Sequence, residues 1–385
     1  MTNIENKLNK PGVIIIGGHI QGLGIARIFG KNKVPVILLD WETINLTRHS
    51  KYCKQFFKYK KGKLLDKLLF LAKSNDFDNW LLMPTNDAHV AVLGENKNLL
   101  SKYFKVSTVD REVLNYFFNK RLTYKLASDL NIPIPLTWMP DSWNDLSELN
   151  ITYPCIIKPA IMFTFYSKTK KKVFVCRNVQ ELKSNYDKAL NLIPNEEVII
   201  QDIIPGHSEH QYSVCFMFDG EKPLVTLTAR RARQHPPDFG NATTYAETVS
   251  IPEIVKLAER ILKAAGFKGV CEVEFKFDTR DGTYKFLEVN PRTWKWHTIA
   301  EKSDSPILMS LYNYAYNLTP IIKNTQEDAS FRHLITDLPT IFRMKLSKIK
   351  YTKTKKNTKY AVWDLKDLKP TFFEILYLPY FILKR

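Results

Sequence analysis

The stretch GVCEVEFKFDTRDGTYKFLEVNPR, residues 269–292, carries the strongest fold signal in this chain of 385 residues. Two strand-like runs flank an Asp-Gly turn, which is typical of a β-hairpin. Because side chains alternate along a strand, the first run divides into an apolar face and a charged face. The apolar face holds Cys271, Val273, Phe275 and Phe277, and the charged face holds Glu272, Glu274 and Lys276.

The connection between the two strands predicts their register. If residues 279–283 form a five-residue loop, Glu274 faces Glu288 and Glu272 faces Asn290. Like charges directly opposite each other destabilise a sheet, so a cation is expected between them. Two carboxylates and an amide oxygen are hard ligands that suit Mg²⁺, with its remaining positions left for water and phosphate.

The alternative is a solvent-exposed strand face whose acids only increase solubility. The first strand alone favours that interpretation. Glu288 and Asn290, however, lie in a run of Phe, Leu, Val and Trp, where unpaired acids are costly to bury. Taken together, the two strands favour the magnesium hypothesis.

The N-terminal segment predicts a parallel α/β unit. VIIIG, LGIARIFGK and VPVILLD, within residues 13–40, alternate as strand, helix and strand. Gly22 and Gly24 match part of a dinucleotide-binding GxGxxG motif, but Arg27 occupies its third glycine position. A tight strand-to-helix turn is the plainer interpretation, and an anionic substrate at the helix N-terminus stays open. The broken motif also argues against a nicotinamide-dependent enzyme.

The hairpin and the segments before it resemble the ATP-grasp superfamily, and more closely its carboxylate–amine ligase branch, of the D-aspartate ligase type. The likeness runs from residue 12 to about residue 310. It depends on EVNPR preceded by EVEFKF, on NKRLTYKLASDLNIPIPLT and on YPCIIKPA, in family order. It implies an α/β and α+β architecture: a Rossmann-like pre-ATP-grasp domain followed by two α+β ATP-binding subdomains.

The resemblance also implies domain boundaries. The pre-ATP-grasp domain is expected at 1–115, and the subdomain with the lid at 116–204. The subdomain with the metal site is expected at 205–325, followed by a basic extension at 326–385.

The resemblance implies an ATP site built from several segments. Lys158 is expected to contact the α- and β-phosphates, and Lys120 to approach the nucleotide from the other side. The adenine is expected against the backbone of VIIQDIIPG, at Gln201, Asp202 and Ile203. Glu209 is expected at the ribose, with Ser208 as the alternative if the loop is one residue shorter.

The remaining site residues follow from the same likeness. The expected Mg²⁺ ligands are Glu274, Glu288 and Asn290, and Arg292 is expected at the phosphoryl or acyl-phosphate oxygens. The segment TARRARQHPPDFGNATTYAET, residues 228–248, resembles the arginine-rich strand and Pro-Gly loop of the ligase branch. Arg231 and Arg233 are expected to act as a bidentate pair for carboxylate or phosphate.

Two segments depart from the family pattern. The lid loop AIMFTFYSKTKKKVF lacks the glycines that often cover the phosphates, and lysines 170–172 are expected to replace them by charge. TWKWHTIAEKSDSP is bulkier than the usual segment after the asparagine, which indicates an unusual acceptor pocket.

The implied activity is ATP-dependent formation of an amide bond between a carboxylate and an amine, through an acyl phosphate, in cell-envelope or polysaccharide biosynthesis. ATP and Mg²⁺ are the expected cofactors. The N-terminus has no apolar segment, which predicts a cytoplasmic protein. Five scattered cysteines without a CxxC spacing predict neither disulfides nor a zinc site.

The net charge of +18 suggests anionic partners. Residues 341–385 supply half of it, and they end in the apolar run FFEILYLPYFIL. This combination fits attachment to an anionic membrane surface, and a final helix packed on the body with a solvated basic face is the equal alternative. The competing function is a nucleic-acid- or membrane-binding protein with a non-catalytic nucleotide fold. No helix-turn-helix or RNA-binding signature accompanies the charge, so no nucleic acid is expected.

Overall fold

The fold is built on three β-sheets. The computed structural model describes residues 10–74, 76–147, 150–169, 171–235 and 242–383. Within these ranges, a five-stranded sheet precedes a four-stranded sheet, and a seven-stranded sheet follows them. The strands of the three sheets fall within residues 13–106, 137–202 and 211–360. The predicted domain boundaries at 115, 204 and 325 stay predictions, and strands on both sides of residue 325 belong to the third sheet.

The first sheet is parallel, with strand order β3-β2-β1-β4-β5. Its strands and helices are β1 (Val13–Ile16), α1 (Ile20–Lys31), β2 (Val36–Asp40), β3 (Gln55–Lys58), α2 (Leu64–Ala72), β4 (Leu81–Pro84), α3 (Asp87–Glu95), α4 (Lys97–Leu100) and β5 (Lys105–Val106), with a 3-10 turn at Thr47–His49. A Cβ atom on Gly22 would lie 2.3 Å from the Gly17 carbonyl oxygen, and one on Gly24 would lie 2.5 Å from Thr298. Close packing therefore accounts for both glycines: Gly22 packs against the predicted tight turn, and Gly24 packs against a segment far along the chain.

The second sheet is antiparallel, in the order β6-β9-β7-β8. Two helices lead into it, and Asn119 caps the second by accepting a hydrogen bond from the backbone N–H of Arg121. This part comprises α5 (Arg111–Phe118), α6 (Lys120–Asp129), β6 (Thr137–Trp138), α7 (Trp143–Ser147), β7 (Cys155–Pro159), α8 (Met162–Thr169), β8 (Phe174–Cys176), α9 (Val179–Leu190) and β9 (Val198–Asp202), with a 3-10 turn at Asn195–Glu197.

The third sheet has the order β14-β13-β10-β11-β12-β15-β16. Its last two strands come from the predicted C-terminal extension. The elements are β10 (Gln211–Phe218), β11 (Pro223–His235), β12 (Ala242–Thr248), α10 (Pro252–Ala264), β13 (Gly269–Asp278), β14 (Thr283–Asn290), α11 (Ile307–Ala315), β15 (Ser330–Arg332), α12 (Leu334–Leu346), β16 (Thr358–Tyr360), α13 (Lys369–Leu376) and α14 (Leu378–Leu383), with 3-10 turns at Ser208–His210 and His297–Glu301.

The third sheet is covered on both faces. One face carries Val273, Phe275 and Phe286 into a core shared with α5, α6 and α10. The opposite face packs against α1 and the first sheet, in a core that includes Cys215, Met217 and Trp296. Beyond that core the same face carries the acids of β13, because residues two apart on a strand share a face. The packing against the first sheet thus positions the acidic face beside the N-terminal unit.

The hairpin of β13 and β14 has the predicted pairing, but a different connection. Glu274 pairs with Glu288 and Glu272 with Asn290, as expected. The connecting loop, residues 279–282, is however one residue shorter than expected. A bulge opposite Glu274 and Phe275 adds one residue to β14, and this restores the predicted pairing. The bulge lets Phe286 face the core while Glu288 faces Glu274. Strict alternation would have placed Phe286 and Glu288 on the same face.

The C-terminal segment returns to the first unit. The Arg27 guanidinium, on α1, donates to Asp367 at 2.9 Å, and both side chains are 1% exposed. The hydroxyl of Ser50 donates to the same carboxylate at 2.7 Å. The Phe373 ring stacks on the His49 imidazole, with centroids 3.4 Å apart. Throughout the part of the chain that the structure describes, every helix is too short or too polar to cross a bilayer.

Candidate active site

A cavity of about 440 Å³ lies between the second and third sheets and is bordered by the N-terminal unit. Its walls come from α1, α6, β7, β9, β11 and the β13–β14 hairpin. The lining includes most of the predicted site residues: Lys120, Lys158, Gln201, Asp202, Ile203, Arg231, Glu274, Glu288, Asn290 and Arg292. The fold therefore brings together residues that lie up to 172 positions apart in the sequence.

Three acids and an amide meet on the hairpin wall. The Asn290 amide nitrogen donates to Glu272 at 3.2 Å and to Glu274 at 3.0 Å. Glu272 also accepts from the Ser213 hydroxyl at 2.9 Å. Burial, reinforced by the charge of Glu274, raises the pKa of Glu272. Glu272 and Glu274 are buried, and buried acids so close together are stable only with compensating positive charge.

Lys120 provides part of that compensation. Its Nζ lies 2.7 Å from Glu288 Oε2, in a bond that links helix α6 to strand β14. Burial disfavours the charged form of Lys120, but the attraction of Glu288 outweighs it and raises the lysine pKa. The charge of Lys120 in turn lowers the pKa of Glu288 against the opposing effect of burial. Both groups are therefore held in their charged forms at neutral pH.

Lys158 lies deeper, on β7, and is 7% exposed. Its Nζ donates to the Tyr124 hydroxyl and to Gln201 Oε1, at 2.6 Å each. Because both partners are uncharged oxygens, burial dominates and lowers the pKa of Lys158. Neither of these bonds involves a carboxylate. The Lys158 ammonium group, which lines the cavity, can therefore bind a phosphate there.

The expected adenine segment ends β9. Gln201 and Asp202 are buried, and they line the cavity together with Ile203. The Asp202 carboxylate accepts from Arg280 at 2.5 Å, so its side chain braces the hairpin turn. Glu209 lies on a 3-10 turn outside the cavity lining, and burial lowers the pKa of the nearby Lys276 against the opposing charge of Glu209. Its expected role at the ribose stays a prediction.

Two arginines face the cavity. Arg231 Nη2, on β11, lies 2.9 Å from Glu274 and 3.9 Å from Glu272. Arg292, just after β14, donates to Asn290 Oδ1 at 3.1 Å and to Asp87 at 2.6 Å. Asp87 is the first residue of α3, so the N-terminal unit positions one of the two arginines.

The expected pairing of Arg231 with Arg233 is wrong. Arg233 is fully buried and lies outside the cavity lining. Its guanidinium binds Asp337 of α12 through two hydrogen bonds of 2.8 Å, and it also donates to the Thr352 carbonyl. The pairing of β11 with β12 is irregular between residues 230 and 233, which breaks the simple alternation on which the expectation depended. Arg233 is therefore structural, and of this pair only Arg231 faces the acids.

Several residues in or beside the cavity were not predicted from the sequence. Tyr124 lies four residues after Lys120, on the same face of α6, so helical spacing could have found it. Asp87, Gln234 and Thr243 carry no local signal, because only tertiary packing brings them near the hairpin. Of the lid lysines, Lys172 lines the cavity and Lys170 lies outside the described residues. The Pro-Gly loop at 236–241 also lies outside them.

The bulky segment after Arg292 forms the wall next to α1. Trp294, Lys295 and Trp296 line the cavity, and the Gln21 amide of α1 donates to the Thr293 carbonyl at 2.9 Å. The two indoles lie edge to face, with centroids 5.3 Å apart. This wall is largely apolar, with Lys295 as its charged member. It separates the acids of the hairpin from the first sheet.

Part of the chain matches a known family, and most of it resembles a known ligase. Residues 140–310 match the family described as "Carbamoyl-phosphate synthase L chain, ATP binding domain". Over 312 residues the chain is 24% identical to D-aspartate ligase of Enterococcus faecium, covering 76% of this chain and 73% of that protein.

Solved structures with a similar fold include N5-carboxyaminoimidazole synthetase of Staphylococcus aureus, with a TM-score of 0.64, 13% identity and 91% of each chain covered. They also include L-amino acid ligase of Bacillus licheniformis, with a TM-score of 0.59, 14% identity, and 79% of this chain and 74% of that chain covered. At these identities the structural likenesses establish the fold.

Residues 140–310 therefore form an ATP-grasp ATP-binding domain. The chain is also a homologue of D-aspartate ligase over 76% of its length. The predicted fold, the predicted ligase class and the predicted use of ATP with Mg²⁺ agree with these likenesses.

The donor set fits magnesium. Glu274, Glu288 and Asn290 offer carboxylate and amide oxygens from one wall, and hard oxygen ligands are those that Mg²⁺ prefers. In the described ranges, no cluster of three or more His, Cys, Asp and Glu residues is arranged to hold a metal by itself. Two carboxylates and an amide do not complete the six ligands of Mg²⁺, so phosphate oxygens and water would provide the others.

Proposed function

We propose that this protein uses ATP to convert a carboxylate into an acyl phosphate, and then joins the acyl group to an amine. One observation supports this most directly: Glu274, Glu288 and Asn290 share a cavity with Lys120, Lys158, Arg231 and Arg292. Oxygen ligands for a metal and cations for phosphate are the parts that phosphoryl transfer to a carboxylate needs.

Each residue has a role in the proposed reaction. Lys158 and Lys120 hold phosphate oxygens of the nucleotide while a substrate carboxylate oxygen attacks the γ-phosphorus and ADP leaves. Magnesium, when bound by Glu274, Glu288 and Asn290, supplies charge neutralisation for the phosphates. Lys120 and Arg231, which lie beside these acids, supply positive charge for the transferring phosphoryl group.

The second step is the attack of the amine nitrogen on the acyl carbon, with phosphate as the leaving group. Arg231 and Arg292 hold the oxygens of the acyl phosphate during this step. The wall of Trp294 and Trp296 excludes water, which would otherwise hydrolyse the intermediate. No residue of the chain needs to form a covalent bond with the substrate.

We also propose that at least one substrate is an amino acid, and that the product belongs to the cell envelope or to a polysaccharide. Homology to D-aspartate ligase supports an amino-acid substrate. Three acid–amine combinations follow: an amino acid added to an envelope peptide, an amino acid joined to a uronic acid, and a free dipeptide. The expected location in the cytoplasm and the four-part domain division belong to the same proposal.

An ATP-hydrolysis screen tests the reaction. Phosphate release is measured with Mg²⁺ and with pairs of acids and amines, including D-aspartate in either role. We expect release only when both members of a productive pair are present. Glu288→Gln should lower the rate about a hundredfold or more, because it removes a charge that the phosphoryl-transfer site needs.

Glu181→Gln is the matched control for that variant. Glu181, on α9, is also a carboxylate in an ion pair, and its side chain is 40% exposed against 37% for Glu288. The control should retain the full rate. Phosphate release that needs no second substrate, or that is equal in the two variants, would contradict the ligase mechanism.

A further inference from the structure

Two helices near the C-terminus each expose an apolar stripe. On α12 the stripe consists of Leu338, Phe342 and Leu346, which are 57%, 63% and 69% exposed. The stripe of α13 consists of Leu368, just before the helix, and of Phe372, Ile375 and Leu376, all about half exposed or more. The spacings of three and four residues place each set along one helix face. Isolated exposed apolar side chains are common, but stripes of this size mark interaction surfaces.

The opposite faces of both helices are fixed to the body. Asp337 of α12 binds Arg233 of β11, and Met344 is buried. Phe373 of α13 stacks on His49, and Glu374 Oε1 lies 2.7 Å from the His333 imidazole at the start of α12. The stripes are thus the outward faces of two anchored helices.

The charged residues around the stripes separate by sign. The acids of this segment are turned inward: Asp337 pairs with Arg233, Asp367 with Arg27, Asp364 with Lys31, and Glu374 with His333. The exposed charges are basic: Arg343, Lys345, Lys348, Lys350, Lys353, Lys356, Lys366 and Lys369. What the described part of this segment presents to solvent is therefore apolar and cationic.

We propose that the stripes of α12 and α13 attach the protein to an anionic membrane surface. Large apolar side chains enter the boundary between lipid headgroups and acyl chains, and the surrounding lysines interact with anionic headgroups. A nucleic acid would use the cations but not the apolar stripes. A second copy of this chain would bring two basic surfaces together, which costs electrostatic energy. The lipid surface is the partner that matches both features.

The proposed attachment lies behind the active site. Helix α12 packs on β11, the strand that carries Arg231 and Gln234 into the cavity. The Thr340 hydroxyl of α12 lies 3.4 Å from the imidazole of His235, which follows Gln234 in the chain. Attachment would therefore hold one wall of the cavity close to the membrane.

Sedimentation with lipid vesicles tests the proposal. The full chain is mixed with phosphatidylcholine vesicles that contain or lack phosphatidylglycerol, without ATP or substrates. We expect binding only when phosphatidylglycerol is present, and weaker binding at high salt. Phe342→Ser and Phe372→Ser should each weaken binding about tenfold or more. Lys345→Glu and Lys369→Glu should each weaken it at least about fivefold.

Phe70→Ser is the matched control. Phe70 is 64% exposed, as is Phe372, and it also has a lysine beside it, since Lys67 Nζ lies 4.7 Å from its ring centroid. It belongs to α2 of the first unit, outside the proposed surface, so its replacement should leave binding unchanged.

Three results would overturn the proposal. The first is wild-type protein that stays in solution with anionic vesicles, and the second is equal binding by the Phe372→Ser and Phe70→Ser variants. The third is self-association without vesicles that Phe372→Ser abolishes, because a second copy would then cover the stripe. Since the assay contains no nucleotide, acid or amine, none of these results bears on the proposed ligase reaction.

Discussion

Arg231 and Arg233 lie two residues apart on one strand and have opposite surroundings. Arg231 faces the cavity, with Glu274 at 2.9 Å. Arg233 is enclosed by Asp337, Thr352 and the Tyr245 ring, whose centroid lies 4.0 Å from the guanidinium carbon. A guanidinium beside a reaction cavity can serve substrates, whereas one whose donors are used inside the protein serves stability.

Replacing each arginine by lysine should separate the two roles. Lysine keeps the charge but loses the bidentate geometry. Arg231→Lys should lower kcat/KM for ATP-dependent phosphate release about a hundredfold with little change in Tm. Arg233→Lys should lower the free energy of unfolding by about 3 kcal/mol, because Asp337 loses a buried partner. Steady-state kinetics and thermal unfolding of both variants measure this, and equal effects on Tm would contradict the assignment.

At the scale of the element, the β13–β14 hairpin depends on its bulge. Leu287 is the additional residue of β14, and its carbonyl accepts a hydrogen bond from the Tyr124 hydroxyl at 3.1 Å. That bond fixes the bulge to helix α6. It keeps Phe286 in the core and Glu288 in the cavity, which uninterrupted alternation could not do.

Deleting Leu287 should therefore abolish nucleotide binding. Without the bulge, either Phe286 leaves the core or Glu288 and Asn290 leave the cavity. Inserting one glycine after Asp281, in the exposed loop at 279–282, is the matched control and should be tolerated, because loop length has a small energetic cost. Calorimetric titration with ATP and Mg²⁺ measures both proteins, and wild-type affinity after the deletion would exclude this role for the bulge.

The hairpin also illustrates what the sequence can predict. The pairing of Glu274 with Glu288 followed from alternation and an assumed five-residue loop, and it is correct. The loop has four residues, and the bulge compensates for the difference. A bulge has no composition that distinguishes it from an ordinary strand residue. In the same way, Asp87 near Arg292 and Asp337 near Arg233 depend on packing between distant elements, which alternation along one strand cannot reveal.

Across the whole molecule, buried neutral histidines should make the fold acid-sensitive. Burial lowers the pKa of His89 and of His297 to about 4, against carbonyl hydrogen bonds that favour the charged forms. An unfolded histidine has a pKa of about 6.5. The contribution of the two neutral histidines to the free energy of unfolding is therefore complete above about pH 6.5, and it is lost as the pH falls toward 4. Glu374 acts in the opposite sense, since burial raises its pKa to about 7.

The contribution of His297 can be isolated by His297→Gln. The wild-type free energy of unfolding should lose about 3 kcal/mol through this residue between pH 6.5 and pH 4, and the variant should lack that part of the decline. Denaturant unfolding of both proteins at a series of pH values measures the difference. Parallel pH profiles for the two proteins would show that His297 is not buried in the neutral form.

The bond between Arg27 and Asp367 has a consequence for biosynthesis. Arg27 belongs to the first helix, yet its carboxylate partner follows 340 residues later. Until residue 367 has been synthesised, the Arg27 guanidinium, which is buried in the folded protein, must remain hydrated. The N-terminal unit is therefore expected to stay incomplete during much of translation, and its contacts with Asp367 should form only when that part of the chain has emerged.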